Sequence, residues 1–257
     1  MRGCKIIVNA DDFGRDEEAT RAILECFQRG YINQTTLMVN MPYAEKAVVL
    51  AREAGFADKI GLHLNLTQGM PLTESIKRFS EMCDVDGNFR VNRVGCDGKV
   101  PPSLLEAIAK EVKAQAERYI SFGLPLMHCD GHHHCHNRLA LYRLILPILK
   151  AVGFRSIRNR YTVFGPPWHG VRGRIGNYFF MREVRKLSLS TTEAFGGWNG
   201  ESLERWTRFA SVEIMVHPHY NADGMLINVT DSKCNTGLRM DQLLWKHGMR
   251  EEVGSGK

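Results

Sequence analysis

Short apolar segments alternate with amphipathic stretches along most of this chain of 257 residues. Apolar segments predict strands at residues 5–10, 35–40, 60–66, 126–130, 155–158, 189–195 and 212–216. Between them, apolar residues recur three and four positions apart, which is the spacing of one buried helix face. These patterns predict helices at residues 16–29, 44–54, 103–120, 139–152, 174–186, 202–209 and 240–248. Repeated alternation of strand and helix predicts a mostly parallel sheet with helices outside it.

Polar residues follow the first, third, fourth and seventh predicted strands, and a barrel would bring those strand ends together. No Gly-x-Gly-x-x-Gly follows the first strand, which disfavours a dinucleotide-binding sheet. We therefore predict an α/β fold, a distorted (β/α) barrel of about seven strands. Residues 1–250 are expected to form one domain and residues 251–257 a disordered tail. The long connection at residues 67–101 is expected to form a rim or a wall for substrate.

Composition narrows the class of protein without naming its chemistry. Hydrophobic residues make up 44% of the chain and charged residues 24%, which is ordinary for a globular protein with a sizeable core. The net charge of +6 is diffuse and accompanies no nucleic-acid-binding motif, so no nucleic acid is expected as a partner. No apolar run approaches the roughly 20 residues that cross a bilayer, and no apolar leader precedes the first strand. Seven cysteines without regular spacing favour reduced thiols and a cytoplasmic protein.

Two adjacent carboxylates, Asp11 and Asp12, stand where the first predicted strand opens into a loop. Like charges this close ionise together only at a cost unless a cation lies nearby, so a metal is a natural partner. Because side chains alternate along a strand, the two are expected on opposite faces and in different roles. The alternative is that both are turn or cap residues for the helix after Gly14.

Histidines supply matching ligands at other strand ends. His63 lies in the third predicted strand. Five of the chain's 10 histidines lie within nine residues, at the end of the fourth predicted strand and just after it: His128, His132, His133, His134 and His136. One carboxylate and two imidazoles form a set that leaves coordination positions open. Either aspartate, His63 and one histidine of the 132–136 group would complete it. A solvated histidine-rich loop and a structural zinc site with Cys129 and Cys135 are the alternatives.

His217 follows the last strong apolar strand and is fixed in direction by Pro218. A histidine at a barrel mouth is a candidate general acid. The alternative is a strand-end histidine bonded to a backbone carbonyl.

Six segments in this order and spacing together resemble the YdjC-like carbohydrate deacetylase family. They are Asn-Ala-Asp-Asp-Phe-Gly at 9–14, Gly-Leu-His-Leu-Asn-Leu-Thr at 61–67, His-Cys-Asp-Gly-His-His-His-Cys-His at 128–136, Ile-Arg at 157–158, Thr-Glu-Ala-Phe at 192–195 and Glu-Ile-Met-Val-His-Pro at 213–218. The resemblance implies a distorted barrel related to polysaccharide deacetylases and one divalent metal, Mg²⁺ or Zn²⁺. It also implies a hydrolase that removes acetyl groups from small N-acetylated saccharides such as chitooligosaccharides.

The same resemblance implies roles for individual residues. Asp11 matches the catalytic base, and Arg158 matches an arginine that orients it. His217 matches the acid. The implied metal ligands are Asp12, His63 and His132. His219 departs from the family pattern, which shows glycine at this position, and this departure bears on the choice of substrate more than on the chemistry.

Four aromatic residues are predicted in loops beyond strand ends, where they are candidates to stack on sugar rings or to pack in the core: Trp168, Phe195, Trp198 and Tyr220. A metal-dependent phosphoesterase, drawing on the basic segment at 155–186, is one rival function. A non-catalytic sugar-binding relative is another, but such a protein would be expected to lose the acid or the base. The sequence leaves open the sugar, the native metal and the oligomeric state, for which a homodimer is one option.

Overall fold

Seven parallel strands form the main sheet of the protein. A computed structural model describes residues 4–96, 99–160, 171–200, 206, 208–229 and 237–245. The strands are β1 (Lys5–Phe13), β2 (Gln34–Leu37), β3 (Ile60–Leu64), β4 (His128–Gly131), β5 (Ser156–Ile157), β6 (Ala194–Gly197) and β7 (Ser211–Val216). Their order across the sheet is β5-β4-β3-β2-β1-β7-β6. The predicted parallel sheet of about seven strands is therefore confirmed, and in it the first strand pairs with the seventh.

The sheet curls until its two edges approach each other. Ser190, which precedes β6, forms a parallel bridge with Ser156 of β5. The Ile157 N–H donates to the Ser190 carbonyl at 2.9 Å, and the Ser190 N–H donates to the Arg155 carbonyl at 2.9 Å. A single bridge joins these edges where the other neighbours form ladders, so the predicted distorted (β/α) barrel is confirmed.

Helices connect the strands and cover the outside of the sheet. They are α1 (Glu17–Gln28), α2 (Ala44–Glu53), α3 (Glu74–Lys77), α4 (Pro102–Ser121), α5 (Tyr142–Val152), α6 (Val171–Lys186) and α7 (Asp241–Trp245). The predicted helix at 202–209 and the predicted tail at 251–257 fall largely or wholly outside the described residues. Among the residues that are described, none of the helices is both long and apolar enough to span a bilayer.

The apolar spacing that predicted the helices also identified their buried faces. On α4, Leu104, Ile108, Val112 and Tyr119 are buried, as their spacing indicates. The helix begins at Pro102, one residue before its predicted start at residue 103. Proline suits the first helical position since its missing N–H is one that would lack a helical partner there.

A small antiparallel sheet follows β7 directly. Its strands are β8 (Pro218–Tyr220), β9 (Leu226–Asn228) and β10 (Leu238–Arg239), in the order β10-β9-β8. We call residues 218–229, which include the β8–β9 hairpin, the hairpin wall. It lies against α1, since the Tyr220 hydroxyl donates to Glu25 Oε2 at 2.7 Å. The hairpin wall thus extends the mouth of the barrel on the side of β1 and β7.

Candidate active site

The end of β1 is bulged, and the bulge places two carboxylates on the same cavity. Ala10 pairs with Thr35 but Phe13 pairs with Leu37, so β1 has one extra residue in this interval. Asp12 takes up the extra residue with a φ of 71°, in the left-handed region. A bulge cancels the two-residue alternation of a strand. The prediction that Asp11 and Asp12 face opposite sides is therefore wrong: both are buried and both line one cavity.

Asp12, His63 and His132 meet at this cavity from the ends of β1, β3 and β4. Asp12 Oδ1 lies 2.9 Å from His132 Nδ1 and 3.2 Å from His63 Nε2. One ligand atom from each of the three side chains lies within 4.8 Å of the others, and all three residues are buried. The other Asp12 oxygen, Oδ2, accepts a hydrogen bond from Arg15 Nη1 at 3.0 Å.

The bonding of these atoms fits a metal ion. Within the described part of the chain, Asp12 Oδ1 and His63 Nε2 are buried and, although they lie close to each other and Asp12 Oδ1 lies close to His132 Nδ1, neither atom makes a hydrogen bond. A buried polar atom without a partner is costly, and a shared cation would satisfy both atoms. Two imidazoles and one carboxylate are a ligand set that suits zinc and other transition metals and leaves positions open for water and substrate.

Arg158 is fully buried beside this set, in contact with three carboxylates. Its Nη1 and Nη2 bind the two oxygens of Asp11 at 2.7 and 2.6 Å. Nη2 also lies 2.7 Å from Asp130 Oδ2, and Nε donates to Glu213 Oε1 at 2.6 Å. One guanidinium thus faces three buried acids. The surplus of negative charge favours a cation in the adjoining ligand set.

These charges hold the aspartates in their ionised form. Burial alone raises the pKa of Asp11, but the charge and hydrogen bonds of Arg158 outweigh it and hold that pKa below its usual value. Burial likewise opposes ionisation of Asp12, whereas the rings of His132 and His63 lower its pKa well below the usual range. Asp11 also accepts a hydrogen bond from Asn9 Nδ2 at 2.8 Å. Both carboxylates are therefore charged over the physiological range.

His217 faces Asp11 at the junction of β7 and the hairpin wall. Its Nε2 lies 4.0 Å from Asp11 Oδ2, and its side chain is 36% exposed to the cavity and solvent. The backbone fixes it from behind, since the His217 N–H donates to Asn228 Oδ1 at 2.7 Å and its carbonyl accepts from the Val229 N–H at 3.0 Å. Its ring nitrogen thus points at the same space as the base candidate.

The histidines that follow His132 belong to none of the groups of described residues that could hold a metal. After His132, the residues His133 and His134 have φ values of 48° and 53°, which non-glycine residues seldom adopt. The His133 ring lies at the cavity beside Thr67, with 2.9 Å between Nδ1 and the threonine Oγ1. His136 packs inside against Phe180, with 6.5 Å between ring centroids.

The alternative of a structural zinc site with cysteines finds no support in the described residues. The Cys129 thiol donates to the Asp130 carbonyl at 3.1 Å, and the Cys135 thiol donates to the Leu64 carbonyl at 3.2 Å. Burial raises the pKa of both thiols, so neither is a ready thiolate ligand. The groups in the described chain that could hold a metal consist of aspartates and histidines.

The cavity has a volume of about 840 Å³. One side is formed by the strand ends that have just been described, which we call the strand-end wall: Asp11, Asp12, His63 and His132–His134. The hairpin wall forms the opposite side. Arg15 just before α1, Ala19 of α1 and Gln68 of the long connection after β3 also line the cavity, together with Gly131, Met215 and His217. Of the long connection that was expected to form a rim, Gln68 contributes to the lining.

Of the four aromatic residues predicted as sugar-stacking candidates, two are buried away from the cavity and one lines it. Phe195 is fully buried on β6 itself, with the Arg158 guanidinium 4.8 Å from its ring centroid. Trp198 is 4% exposed, and neither residue lines the cavity. They were expected in a loop beyond the strand, but β6 extends through Gly197 and holds Phe195 in the interior. Tyr220 does line the cavity. Trp168 lies outside the described residues.

Sequence reasoning missed four residues that surround the site and contact its side chains: Asp130, Glu213, Thr36 and Arg15. Glu213 had a readable signal, because a charged residue within an apolar strand must have a buried partner. Asp130 had a weaker one, since it stands two residues before His132 in the histidine cluster. Thr36 and Arg15 had no such signal, because their roles depend on which strand neighbours which.

Comparison with known proteins agrees with this fold and site. A family model described as YdjC-like protein matches residues 5–250. A carbohydrate deacetylase of Brevibacillus brevis is 34% identical over 243 residues, covering 90% of this chain and 88% of that protein. A carbohydrate deacetylase of Listeria monocytogenes is 37% identical over 224 residues, covering 84% of this chain and 82% of that protein.

Among solved structures, an Enterococcus faecalis protein with a suggested role in cellobiose-phosphate cleavage superposes with a TM-score of 0.63. It is 23% identical, and the match covers 85% of this chain and 82% of that one. This likeness concerns the fold alone. The family model and the relatives, each spanning most of the chain, decide the classification: this chain is a member of the YdjC-like protein family.

Proposed function

We propose that this chain is a metal-dependent carbohydrate deacetylase, a hydrolase that cleaves the amide bond of N-acetylated sugars such as diacetylchitobiose. The observation that carries the proposal is the grouping around one cavity of a metal-binding set, an ionised aspartate and a histidine. Asp12, His63 and His132 would hold one divalent cation. The relatives named carbohydrate deacetylase support the reaction class.

The ligand atoms suggest which cation is held and what it contributes. Two imidazole nitrogens favour Zn²⁺ or another transition metal, whereas Mg²⁺ prefers an all-oxygen set. When bound, such a cation acts as a Lewis acid toward the acetyl carbonyl and lowers the pKa of the attacking water.

Asp11 is proposed as the general base. The two terminal nitrogens of Arg158 donate hydrogen bonds to the two oxygens of Asp11, which fixes the plane of the carboxylate and keeps it ionised. An ionised carboxylate at the cavity surface can accept the proton of the attacking water. Arg158 is fully buried, so its role is to orient Asp11 without touching substrate.

His217 is proposed as the general acid. An amine is a poor leaving group unless it is protonated, so the reaction needs a proton donor on the side of the nitrogen. His217 Nε2 lies 4.0 Å from Asp11 Oδ2, and this closeness supports an acid and a base that act on the same bond. Asn228 and Val229 hold the backbone of His217 and so maintain this separation.

The cavity fits a small saccharide substrate. A volume of about 840 Å³ lies in the upper part of the range of ligand pockets, roughly 300–1,000 Å³. Of the described aromatic residues that were expected to stack on sugars, Tyr220 is the one at the cavity, and its hydroxyl is held by Glu25. Tyr220 is therefore the proposed stacking residue.

A phosphoesterase is less well supported. The rival reading relied on the basic segment at 155–186, but Arg158 within it is neutralised by three carboxylates. Arg15, a cation of the cavity lining, is already paired with Asp12 and Asp16. A phosphate group would therefore meet more negative than positive charge.

We also propose a cytoplasmic location, which six free cysteines in the described residues support.

Release of acetate tests this function. The purified protein, loaded in turn with Zn²⁺, Mg²⁺, Mn²⁺ or Co²⁺, is incubated with N-acetylglucosamine and chitooligosaccharides of two to five units. We expect metal-dependent acetate release that the Asp11→Asn variant lacks. Phosphate release from phosphorylated sugars without any acetate release would favour the phosphoesterase instead. Saccharide binding without turnover under any metal would favour a non-catalytic sugar-binding protein.

A further inference from the structure

We propose that Asp130 is a positioning residue of the metal centre, which selects the tautomer and fixes the ring plane of His63. The inference rests on the proposed function, because it assumes that His63 is a metal ligand. Sequence reasoning assigned Asp130 no role. It is fully buried at the end of β4, and in the parallel pairing of β3 with β4 it is the register partner of His63. Adjacent strands therefore bring the two side chains to the same point.

The contact between them fixes which nitrogen carries the proton. His63 Nδ1 lies 2.7 Å from Asp130 Oδ1, and both side chains are shielded from solvent. A carboxylate can only accept, so the hydrogen is on Nδ1. The lone pair of the neutral ring is then on Nε2, the atom that faces Asp12 Oδ1. Carboxylate–histidine pairs of this kind orient metal-binding imidazoles and raise their basicity.

Asp130 cannot turn away from His63, because its other oxygen is also held. Oδ2 accepts a hydrogen bond from Thr36 Oγ1 at 2.9 Å and lies 2.7 Å from Arg158 Nη2. Asn9 Nδ2 donates to the same Thr36 hydroxyl at 3.1 Å. Thr36 Oγ1 also lies 3.1 Å from His63 Nδ1, but that nitrogen carries a hydrogen of its own, so the threonine hydrogen is directed at Asp130. Donors on both oxygens thus fix the plane of the carboxylate and, through it, the plane of the His63 ring.

Arg158 joins this arrangement to the base. Its Nη2 lies 2.6 Å from Asp11 Oδ1 and 2.7 Å from Asp130 Oδ2. The guanidinium is rigid and planar, so it sets the spacing between the two carboxylates. The structure therefore assigns Arg158 to two tasks, the orientation of Asp11 directly and that of His63 through Asp130.

The chain offers a matched pair of variants. Asp130→Asn and Glu213→Gln each remove one buried acidic partner of Arg158, but of these two residues Asp130 is the one that contacts His63. We would measure the affinity of each purified protein for Zn²⁺ by competition with a chromophoric chelator. The visible absorption spectrum of the Co²⁺ form reports the ligand geometry. Circular dichroism checks that each variant is folded.

We expect Asp130→Asn to weaken Zn²⁺ binding by about 10–100-fold, the range for lost partners of metal ligands, and to shift the Co²⁺ spectrum. Glu213→Gln should stay within about threefold of the wild type and keep its spectrum. Equal weakening by both variants would attribute the effect to Arg158 and overturn the proposal, as would unchanged affinity in Asp130→Asn. Complete loss of the ion in Asp130→Asn alone would make Asp130 a ligand and also overturn it.

The experiment distinguishes failure of this inference from failure of the proposed metal centre. If the wild type binds none of the metal ions, the proposed metal centre fails, and this inference fails with it. If the wild type binds Zn²⁺ and Asp130→Asn does so equally well, only this inference fails. Should Asp130→Asn not fold, Thr36→Val tests the same point by removing one donor that holds the carboxylate. It should weaken Zn²⁺ binding several-fold, and unchanged affinity would overturn the proposal.

Discussion

The two walls of the cavity are built in different ways. On the strand-end wall, Asp11, Asp12 and His63 are at most 5% exposed, and the two residues that follow His132, a proposed metal ligand, have a left-handed backbone. On the hairpin wall, His219 is 37% exposed and contacts Glu18 of α1 at 2.9 Å. Hydrogen bonds to buried charged groups contribute about 1.5–3 kcal/mol each, but an exposed ion pair contributes about 0–1 kcal/mol.

This contrast suggests that the two walls have different functions, catalysis on the strand-end wall and selection of substrate on the hairpin wall. Catalytic groups must be held to a fraction of an ångström, and the interlocked charges of the strand-end wall provide that. Substrate size can be set by a surface hairpin whose side chains change at little cost in folding free energy. Variants of Asp11, Asp12, His63 and His132 on the strand-end wall should therefore abolish metal binding or turnover, whereas variants of the exposed residues of the hairpin wall should adjust substrate preference.

The largest effect is expected from the metal ligands. His63→Ala and His132→Ala should each lower Zn²⁺ affinity by more than the roughly 100-fold that a lost outer partner costs, and activity should fall with it. His133→Ala is the control, because His133 lines the same cavity and its ring lies 4.1 Å from that of His132. Metal analysis of the folded proteins is the measurement. Full metal content in both ligand variants would remove the assignment.

Asp11→Asn should keep the fold and most of the metal affinity but lower kcat by about 10²–10⁴-fold, as removal of a general base does. The amide can still accept a hydrogen bond from Arg158 but cannot take up the proton. Steady-state kinetics together with a metal-binding titration measure this. If Asp11→Asn lost the metal while Asp12→Asn kept it, the roles of the two aspartates would have to be exchanged.

His217 lies between the two walls, so its variant tests whether a residue at their junction acts in the chemistry or in binding. His217→Ala should lower turnover of an amide substrate far more than that of an activated acetyl ester, whose alcohol leaves without a proton. The ratio of the two rates, taken on the same preparation, is the quantity of interest. Equal losses on both substrates would indicate that His217 serves binding or structure.

A smaller effect concerns folding behind the strand-end wall. Burial, with His134 beside it, holds the pKa of His136 well below its usual value. The unfolded chain protonates this ring below about pH 6.5, whereas the folded chain does not, so stability is lost as the pH falls through that value. His136→Leu should reduce this loss by up to about 1.4 kcal/mol per pH unit. Urea unfolding of the metal-free protein at pH 7.5 and 5.5 measures it, and an unaltered pH dependence would contradict it.

The smallest effect is expected on the hairpin wall. His219→Gly, which introduces the glycine expected here from the family resemblance, should change kcat on a disaccharide by less than about threefold, because a surface ion pair contributes little. It should lower KM for longer chitooligosaccharides by removing a side chain from the cavity lining. Kinetics across a chain-length series test this. A loss of turnover as large as that of Asp11→Asn would erase the distinction between the walls.

The sequence predicted the architecture well and the site partly. Apolar periodicity identified all seven strands of the barrel to within a few residues, because the core of a parallel sheet needs apolar side chains. It ended the sixth strand at residue 195, so Phe195 was expected to face the loop beyond it, since nothing local shows that β6 continues to Gly197. It separated Asp11 from Asp12, since a bulge depends on the register with β2 and leaves no mark in the apolar pattern.

Residue type and position along the chain determined which side chains are available for chemistry. Aspartates and histidines at strand ends imply a metal set wherever a barrel closes, because the ends of parallel strands meet at one mouth. Only the tertiary structure determines which of these side chains form hydrogen bonds with each other and which of their atoms stay unpaired and available to a cation. Asp130 meets His63 because β4 lies beside β3, and Arg158 reaches Asp11 across the barrel interior. These partners are 67 and 147 residues apart, and only the packed fold brings them within hydrogen-bonding distance.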